Sequence, residues 1–322
     1  MKTLKLLGLV LMGMTAFAVS SCGSDSDNDN GGGGGGGSLN PPKYESSAAL
    51  YNVTDANSDY SSIEFTASGN YIITKRIAAK APNRIAKVES KFHFGFMSHN
   101  VGVTRSTSYD NIIYGTYTKN GDTYTLEGFG TIVVNGGGSN AVSLDITTTG
   151  GSKVTVGAQQ EKQYSSSSKT DMLCRTWNMG KIKLVEKING QTFIDQTFND
   201  WEDFVRQMLK AEGLEESSSS YKKAYKEMME GEPKQVVFTK SGTYMVFYAN
   251  NTLAVSTWKW TDEAKGEARY SWDYESINSS DMGGKINISF SDSQLVVSEY
   301  SEFTESGTTG TVDIQWFLTE AK

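Results

Sequence analysis

Ile63-Glu64-Phe65-Thr66-Ala67-Ser68-Gly69-Asn70-Tyr71-Ile72-Ile73 returns 173 residues later as Val236-Val237-Phe238-Thr239-Lys240-Ser241-Gly242-Thr243-Tyr244-Met245-Val246. Both copies read as strand, Ser-Gly turn, strand, with the glycine supplying the positive φ that a tight hairpin needs. Each copy leads to an aromatic hairpin. In the first half it is Tyr114-Gly115-Thr116-Tyr117, a turn at Asn120-Gly121-Asp122, then Tyr124-Thr125-Leu126. In the second it is Thr257-Trp258-Lys259-Trp260, a loop through Gly266, then Tyr270-Ser271-Trp272. Short strands complete each half: Ala141 to Thr148 and Lys153 to Ala158, then Lys285 to Phe290, Gln294 to Tyr300 and Thr311 to Leu318. Regular short strands with turn signals predict a mainly β chain of two tandem antiparallel β-barrel or β-sandwich domains. The period is too long for a solenoid and fits two related domains, with chance similarity of two hairpins as the alternative.

The expected domains span 43–160 and 172–322, joined by a polar linker at 161–171 that includes Ser165 to Ser168. The second domain carries an insertion after a hairpin at Asn189-Gly190. Trp201, Phe204, Val205, Met208 and Leu209 share one helical face, predicting a helix near 199–212. Asn199 with Glu202 reads as its capping box and Gly213 as its stop. Tyr221, Ala224, Tyr225, Met228 and Met229 predict a second helix near 220–230, ended by Gly231 and Pro233. These apolar stripes must be buried against the barrel's outer wall or closed end, or else form a lid over an open mouth.

The N-terminus has the layout of an export signal over 1–21. Lys2 and Lys5 precede a 14-residue, mostly apolar core from Leu6 to Val19, too short for a comfortable membrane span. Val19-Ser20-Ser21-Cys22 resembles the lipobox of bacterial lipoproteins, which implies cleavage before Cys22 and its acylation. Two or three acyl chains would give a long-lived membrane attachment, since each buried CH₂ contributes about 0.8 kcal/mol. Cys174 is then left without a disulfide partner and reads as a small buried hydrophobe. Residues 22–42 carry Asp25, Asp27 and Asp29, then Gly31 to Gly37, then Pro41 and Pro42, a composition expected to form a disordered tether. An acidic run just past the lipidated cysteine resembles the surface-export signal of Bacteroidetes-type lipoproteins and implies an outward-facing place on the outer membrane. Removing Lys2 and Lys5 takes the net charge from −7 to −9, which argues against nucleic acid and anionic lipid as partners.

Leu173-Cys174-Arg175-Thr176-Trp177 resembles the Leu-x-Gly-x-Trp run that opens the first strand of small lipocalin-like domains, with Arg175 in the glycine's place. The resemblance implies a lipocalin-like second domain. The first half offers only Ala49-Leu50-Tyr51-Asn52 and lacks the tryptophan.

The inventory for catalysis is thin. The only histidines, His93 and His99, would lie about 20 Å apart on an extended strand, too far to share one metal. Asp55-Ala56-Asn57-Ser58-Asp59 opens like a calcium loop, but Tyr60 stands where glycine is required and Thr66 where the bidentate glutamate belongs. Asp273 and Glu275 share a strand face, whereas glycosidase pairs face each other across a cleft. No Gly-x-Ser-x-Gly, Walker A or His-Glu-x-x-His run is present. Neither enzyme chemistry nor a cofactor or metal is therefore expected.

The aromatic content is the better lead. Trp258 and Trp260 share one strand face, and Tyr270, Trp272 and Tyr274 share one face of the next. Together they form a filled core, the wall of a ligand cavity or an exposed stacking platform. The expected function is non-catalytic binding of a small amphipathic or apolar ligand in the second barrel. The alternatives are a glycan- or protein-binding surface and an accessory subunit of an outer-membrane complex.

Overall fold

The computed structural model describes residues 49–67, 69–76, 97, 112–136, 140–165, 167–250, 253–271, 283–291, 294–305 and 308–321. The export signal, Cys22, the tether, His93, His99, Trp272, Tyr274 and the Asp273/Glu275 pair lie outside these residues.

Both halves are closed, eight-stranded antiparallel barrels, which settles barrel against sandwich. The first is an up-and-down barrel of β1 (Ala49–Val53), β2 (Tyr60–Phe65), β3 (Asn70–Lys75), β4 (Ile112–Asn120), β5 (Thr123–Leu126), β6 (Gly130–Asn135), β7 (Ala141–Thr148) and β8 (Lys153–Gln160). It closes where β1 pairs β8, with Tyr51 opposite Gln160. Alternation places Ile63, Phe65, Tyr71, Ile73, Tyr124, Ile132, Leu144, Ile146 and Val156 in one buried core. Asp55 Oδ2 accepts the Gly157 N–H at 2.7 Å and ties the β1–β2 connection to β8.

Helix α1 (Ser168–Leu173) follows, beginning within the stretch expected to be a linker and running into the second domain. Ser167 caps it, accepting the Thr170 N–H at 3.1 Å. The second barrel then runs through β9 (Thr176–Ile188), β10 (Gln191–Phe198), helices α2 (Trp201–Ala211) and α3 (Ser219–Glu230), β11 (Pro233–Phe238), β12 (Thr243–Tyr248), β13 (Leu253–Asp262), β14 (Glu267–Ser271), β15 (Gly283–Ser291), β16 (Gln294–Glu305) and β17 (Thr308–Glu320). Closure is between β9 and β17, and β10 is a ninth strand beyond the ring. One edge of β9 bonds β17 along most of its length. The other edge bonds β11 at Thr176 to Asn178 and β10 from Ile182 to Ile188.

Both expected helices form. The N-cap of α2 is Asp200, one residue past the expected Asn199: Asp200 accepts the Asp203 N–H at 2.8 Å and Asp203 accepts the Asn199 N–H at 3.0 Å. Gly213, at φ 78°, ends α2 as expected. The helical stripes are buried as packing, the first of the two uses expected for them. Trp201, Phe204, Val205, Met208, Leu209, Tyr221 and Met228 belong to the same core as the inward-facing Leu184, Val246, Ile314 and Trp316. Trp201 lies 6.4 Å from Trp316 and donates to the Met228 carbonyl at 3.0 Å. The two helices pack on each other, and α2 also packs against β9 and β10. Met97, between β3 and β4 of the first barrel, is also buried in this core, and its carbonyl accepts the Tyr248 hydroxyl at 3.3 Å.

The two sequence copies are structurally equivalent. The Thr66 N–H donates to the Asn70 carbonyl at 2.8 Å, and the Thr239 N–H to the Thr243 carbonyl at 2.9 Å. Gly69 and Gly242 turn the chain at φ 85° and 84°. Tyr117 donates its hydroxyl to the Thr66 carbonyl at 2.7 Å, while Trp258 donates its indole N–H to the Thr239 carbonyl at 3.1 Å.

The barrels also touch through equivalent strands. Ile72 and Ile112 of the first form a buried cluster with Val237, Met245 and Val255 of the second. Beside it the Thr239 hydroxyl donates to Glu64 Oε1 at 2.9 Å. All six tryptophans follow residue 176, so indole emission reports the second half alone. With this interface intact, urea unfolding followed by tryptophan emission and by far-ultraviolet dichroism should give one shared midpoint. Ile72→Ala with Met245→Ala should remove about 4–8 kcal/mol of side-chain packing. The two midpoints should then separate; coincident midpoints in the double variant would show that this interface does not couple the barrels.

Candidate binding site

Of the five aromatic residues singled out, the structure describes three and brings them to one inward face. Trp258 lies directly across the ladder from Tyr270. Trp258 is 1 % exposed, stands edge-on to Phe238 at 5.7 Å and lies 5.0 Å from Tyr164. Tyr270 is fully buried and meets Tyr244 edge-on at 6.1 Å. Trp260, half-buried, donates its indole N–H to the Thr170 hydroxyl of α1 at 2.9 Å. These rings pack and hydrogen-bond at the end of the second barrel that α1 covers. Trp258 and Tyr270 are core, and the half-buried Trp260 packs against it.

Three buried carboxylates face inward or toward the other barrel, each with a different environment. Glu64 receives Thr239. Glu299 receives the Tyr270 hydroxyl, with Gly284 leaving room for both: a Cβ there would come within 3.1 Å of the Tyr270 ring and 3.3 Å of Glu299 Oε1. Burial raises the Tyr244 phenol well above its ordinary value, so it remains a neutral partner of this group. Glu186 has neither oxygen hydrogen-bonded, and burial raises it to about 7.

A cavity of about 360 Å³ lies instead at one end of the first barrel. Tyr51 and Tyr124 face it, with Val134 and Val142 beside them and Lys119, Asp122, Asn140 and Gln160 around the rim. The two tyrosines that line it are packed against a third ring. Phe65 stacks on Tyr124 at 3.8 Å, Tyr51 meets Phe65 edge-on at 6.2 Å, and both phenols sit at positions buried by barrel closure. The Lys119 ammonium is held 4.7 Å from the centre of the Tyr124 ring. Burial, then the neighbouring Tyr124 and Asp122, push the Tyr51 phenol up to about 12, so it is neutral across physiological pH. The described lining is mostly polar and combines two phenol rings and two valines with one cation, one anion and two amides. Such a set suits an amphipathic molecule with donors and acceptors near a ring or short chain.

Sequence reasoning missed this site. Asn120-Gly121-Asp122 was legible as a turn, but the cavity joins it to β1, the β6–β7 connection and the last residue of β8. Only ring closure brings Tyr51, Asp122, Asn140 and Gln160 together. A faint signal existed in Tyr124, whose alternation places it inward beside that turn.

Among the described residues, no three His, Cys, Asp or Glu side chains are grouped to hold a metal ion, and no helix is long and apolar enough to cross a membrane. Comparison with protein-family models and with curated protein sequences returned no match.

The Tyr270–Glu299 contact makes a direct prediction. Tyr270→Phe keeps the ring but removes the donor to a buried carboxylate, so it should destabilise the second barrel by roughly 2–4 kcal/mol. Urea unfolding read by tryptophan emission checks this; an unchanged midpoint would mean that Glu299 is satisfied without Tyr270.

Proposed function

We propose that this chain is a lipid-anchored, outward-facing binding protein of the outer membrane, without catalytic activity, that holds a small amphipathic molecule at the end of its first barrel. The observation that carries this reading is the cavity over Tyr51 and Tyr124, rimmed by Lys119, Asp122, Asn140 and Gln160. Its volume lies at the small end of the range for ligand pockets. Its chemistry differs from the second lumen, where the described rings are engaged with one another. The lipobox-like Cys22 and the acidic, glycine-rich run after it support the anchor and the outward orientation. A closed barrel gives such a binder a stiff frame, because Tyr51, Lys119, Tyr124 and Gln160 project from hydrogen-bonded strands, with Asp122 and Asn140 on the connections between them.

The site moves from the second barrel expected from sequence to the first, while the ligand class stays the same. An exposed aromatic platform receives less support, since Tyr300 is the one large aromatic side chain strongly exposed among the described residues.

Thermal melting of the mature chain, screened against fatty acids, bile acids, haem-like molecules and glycans, tests the proposal. A true ligand should raise the melting temperature, because binding only the folded state stabilises it. Lys119→Ala and Asp122→Asn should each weaken that response by about tenfold in Kd, equivalent to roughly 1.4 kcal/mol. Tryptophan emission should barely move, since every tryptophan lies in the second half. A ligand that quenches tryptophan and ignores both substitutions would relocate the site to the second barrel. No response to any compound would sink the small-ligand reading in favour of a protein partner.

A further inference from the structure

We propose that Glu186 is a proton-sensitive latch in the wall of the second barrel, closed while its carboxyl is neutral and loosened when it ionises. The inference is independent of the ligand site in the first barrel. Glu186 occupies the inward series Ile182, Leu184, Glu186 of β9 and is wholly buried. Its cross-strand neighbours are Ile194 on β10 and Val312 on β17, both apolar. Neither carboxylate oxygen has a hydrogen-bond partner. A neutral carboxyl tolerates such a place; a charged one must be reached by water or a donor.

The other titratable groups of this core do not supply one. Glu299 is occupied by Tyr270, Tyr248 donates to the Met97 carbonyl, and Tyr244 lies with Ser256. Tyr221 of α3 is buried with its own hydroxyl unpaired. Lys183 and Lys187 alternate to the opposite side of β9, where Lys183 bridges Asp195 at 3.0 Å. Asp313 alternates likewise on β17 and accepts from Gln315 at 3.0 Å. On the helices, Arg206 and Tyr225 are both engaged with Glu202. Burial is accordingly the sole cause of the upward displacement of Glu186.

The position also decides what yields. Next to Glu186, β10 is bonded to β9 alone among the described strands, while β11 bonds β9 only at the far end. No backbone ladder joins β10 to β11 among the described strands, and α2 packs against β9 and β10. Moving β10 outward breaks one ladder and opens a path for water to the carboxylate. The strands of the ring itself are bonded on both edges and would cost two ladders.

The sign follows from linkage. A carboxyl raised from 4.5 to about 7 in the folded chain adds full stability below about pH 4.5. That contribution falls as pH rises toward 7 and is gone above it. Relative to a neutral side chain at 186, the unfolding equilibrium should rise on the order of a hundredfold across this window, tenfold for each pH step between the two values.

Hydrogen exchange of the full chain at pH 5 and pH 8, corrected for intrinsic rates, tests the latch. Protection across 182–198 and 308–316 should fall at least several-fold at pH 8, with β2 and β3 as internal reference. Glu186→Gln should remove that pH dependence, and Glu186→Leu should do the same if the buried amide weakens the fold. Because the comparison is of the change with pH, a uniformly less stable variant still decides it. The same pH dependence in both variants as in the parent chain, or no change in the parent, would overturn the proposal.

Discussion

Each barrel depends on one aromatic clasp. At the Ser-Gly turn, the chain reverses between two strands whose inward residues must stay in register, because a slip of one residue would turn every core side chain outward. Tyr117 in the first barrel and Trp258 in the second fix that register from the next strand. Each backbone N–H donates at 2.8 Å to the turn glycine, Gly69 or Gly242, and each side-chain tip donates to the threonine that opens the turn. The same ring packs edge-on against Phe65 or Phe238. One residue thus joins turn, ladder and core, and two different aromatic types perform it because both present an apolar body with one donor at the edge.

The clasp leaves the opposite face of the same strands free to serve the barrel–barrel contact. Ile72 and Met245 occupy equivalent places after the clasped turns, and both point away from their own lumen into the shared cluster. Glu64 and Val237 are likewise equivalent, but one is charged and the other apolar. The Thr239–Glu64 hydrogen bond therefore has no counterpart with the roles exchanged. The contact resembles the self-complementary patch of a two-fold dimer in which one corresponding pair has diverged. A covalent link between the halves removes the need for strict symmetry and permits such divergence.

Much of this was legible in the chain. The Ser-Gly copies, the Asn189-Gly190 hairpin and the helical stripes of α2 and α3 are local signals, and local physics carried them into the structure. Even the double burial has a trace: Tyr71 to Ile73 and Tyr244 to Val246 are apolar without a polar alternate, as strands covered on both faces must be. The pairing choice was not legible. Whether Trp258 meets solvent, a cavity or Phe238 depends on what closes the end of its barrel, and α1 lay in a serine-rich stretch that composition marks as a linker. The cap of α2 shifted to Asp200 because adjacent Asn and Asp offer the same capping chemistry, and only the backbone angle chooses between them.

The second barrel also shows why a lipocalin-like opening run does not by itself specify a hollow. Closing eight strands leaves an interior just wide enough to be filled by large side chains or to hold one small molecule. Here large residues are contributed by the lumen and by an insertion. Trp258, Tyr244, Tyr270 and Trp316 come from the strands, while Trp201 and Phe204 enter from α2. The first barrel has no helical insertion among its described residues, and its interior rings are limited to tyrosine and phenylalanine. Its aromatic packing ends at Tyr51, beside the β1–β8 closure, and at Tyr124 of β5, with Lys119, Asp122, Asn140 and Gln160 lining the same cavity. Similar rings of strands can therefore be filled differently, one packed against the inserted helices, the other ending at a cavity lined by polar groups.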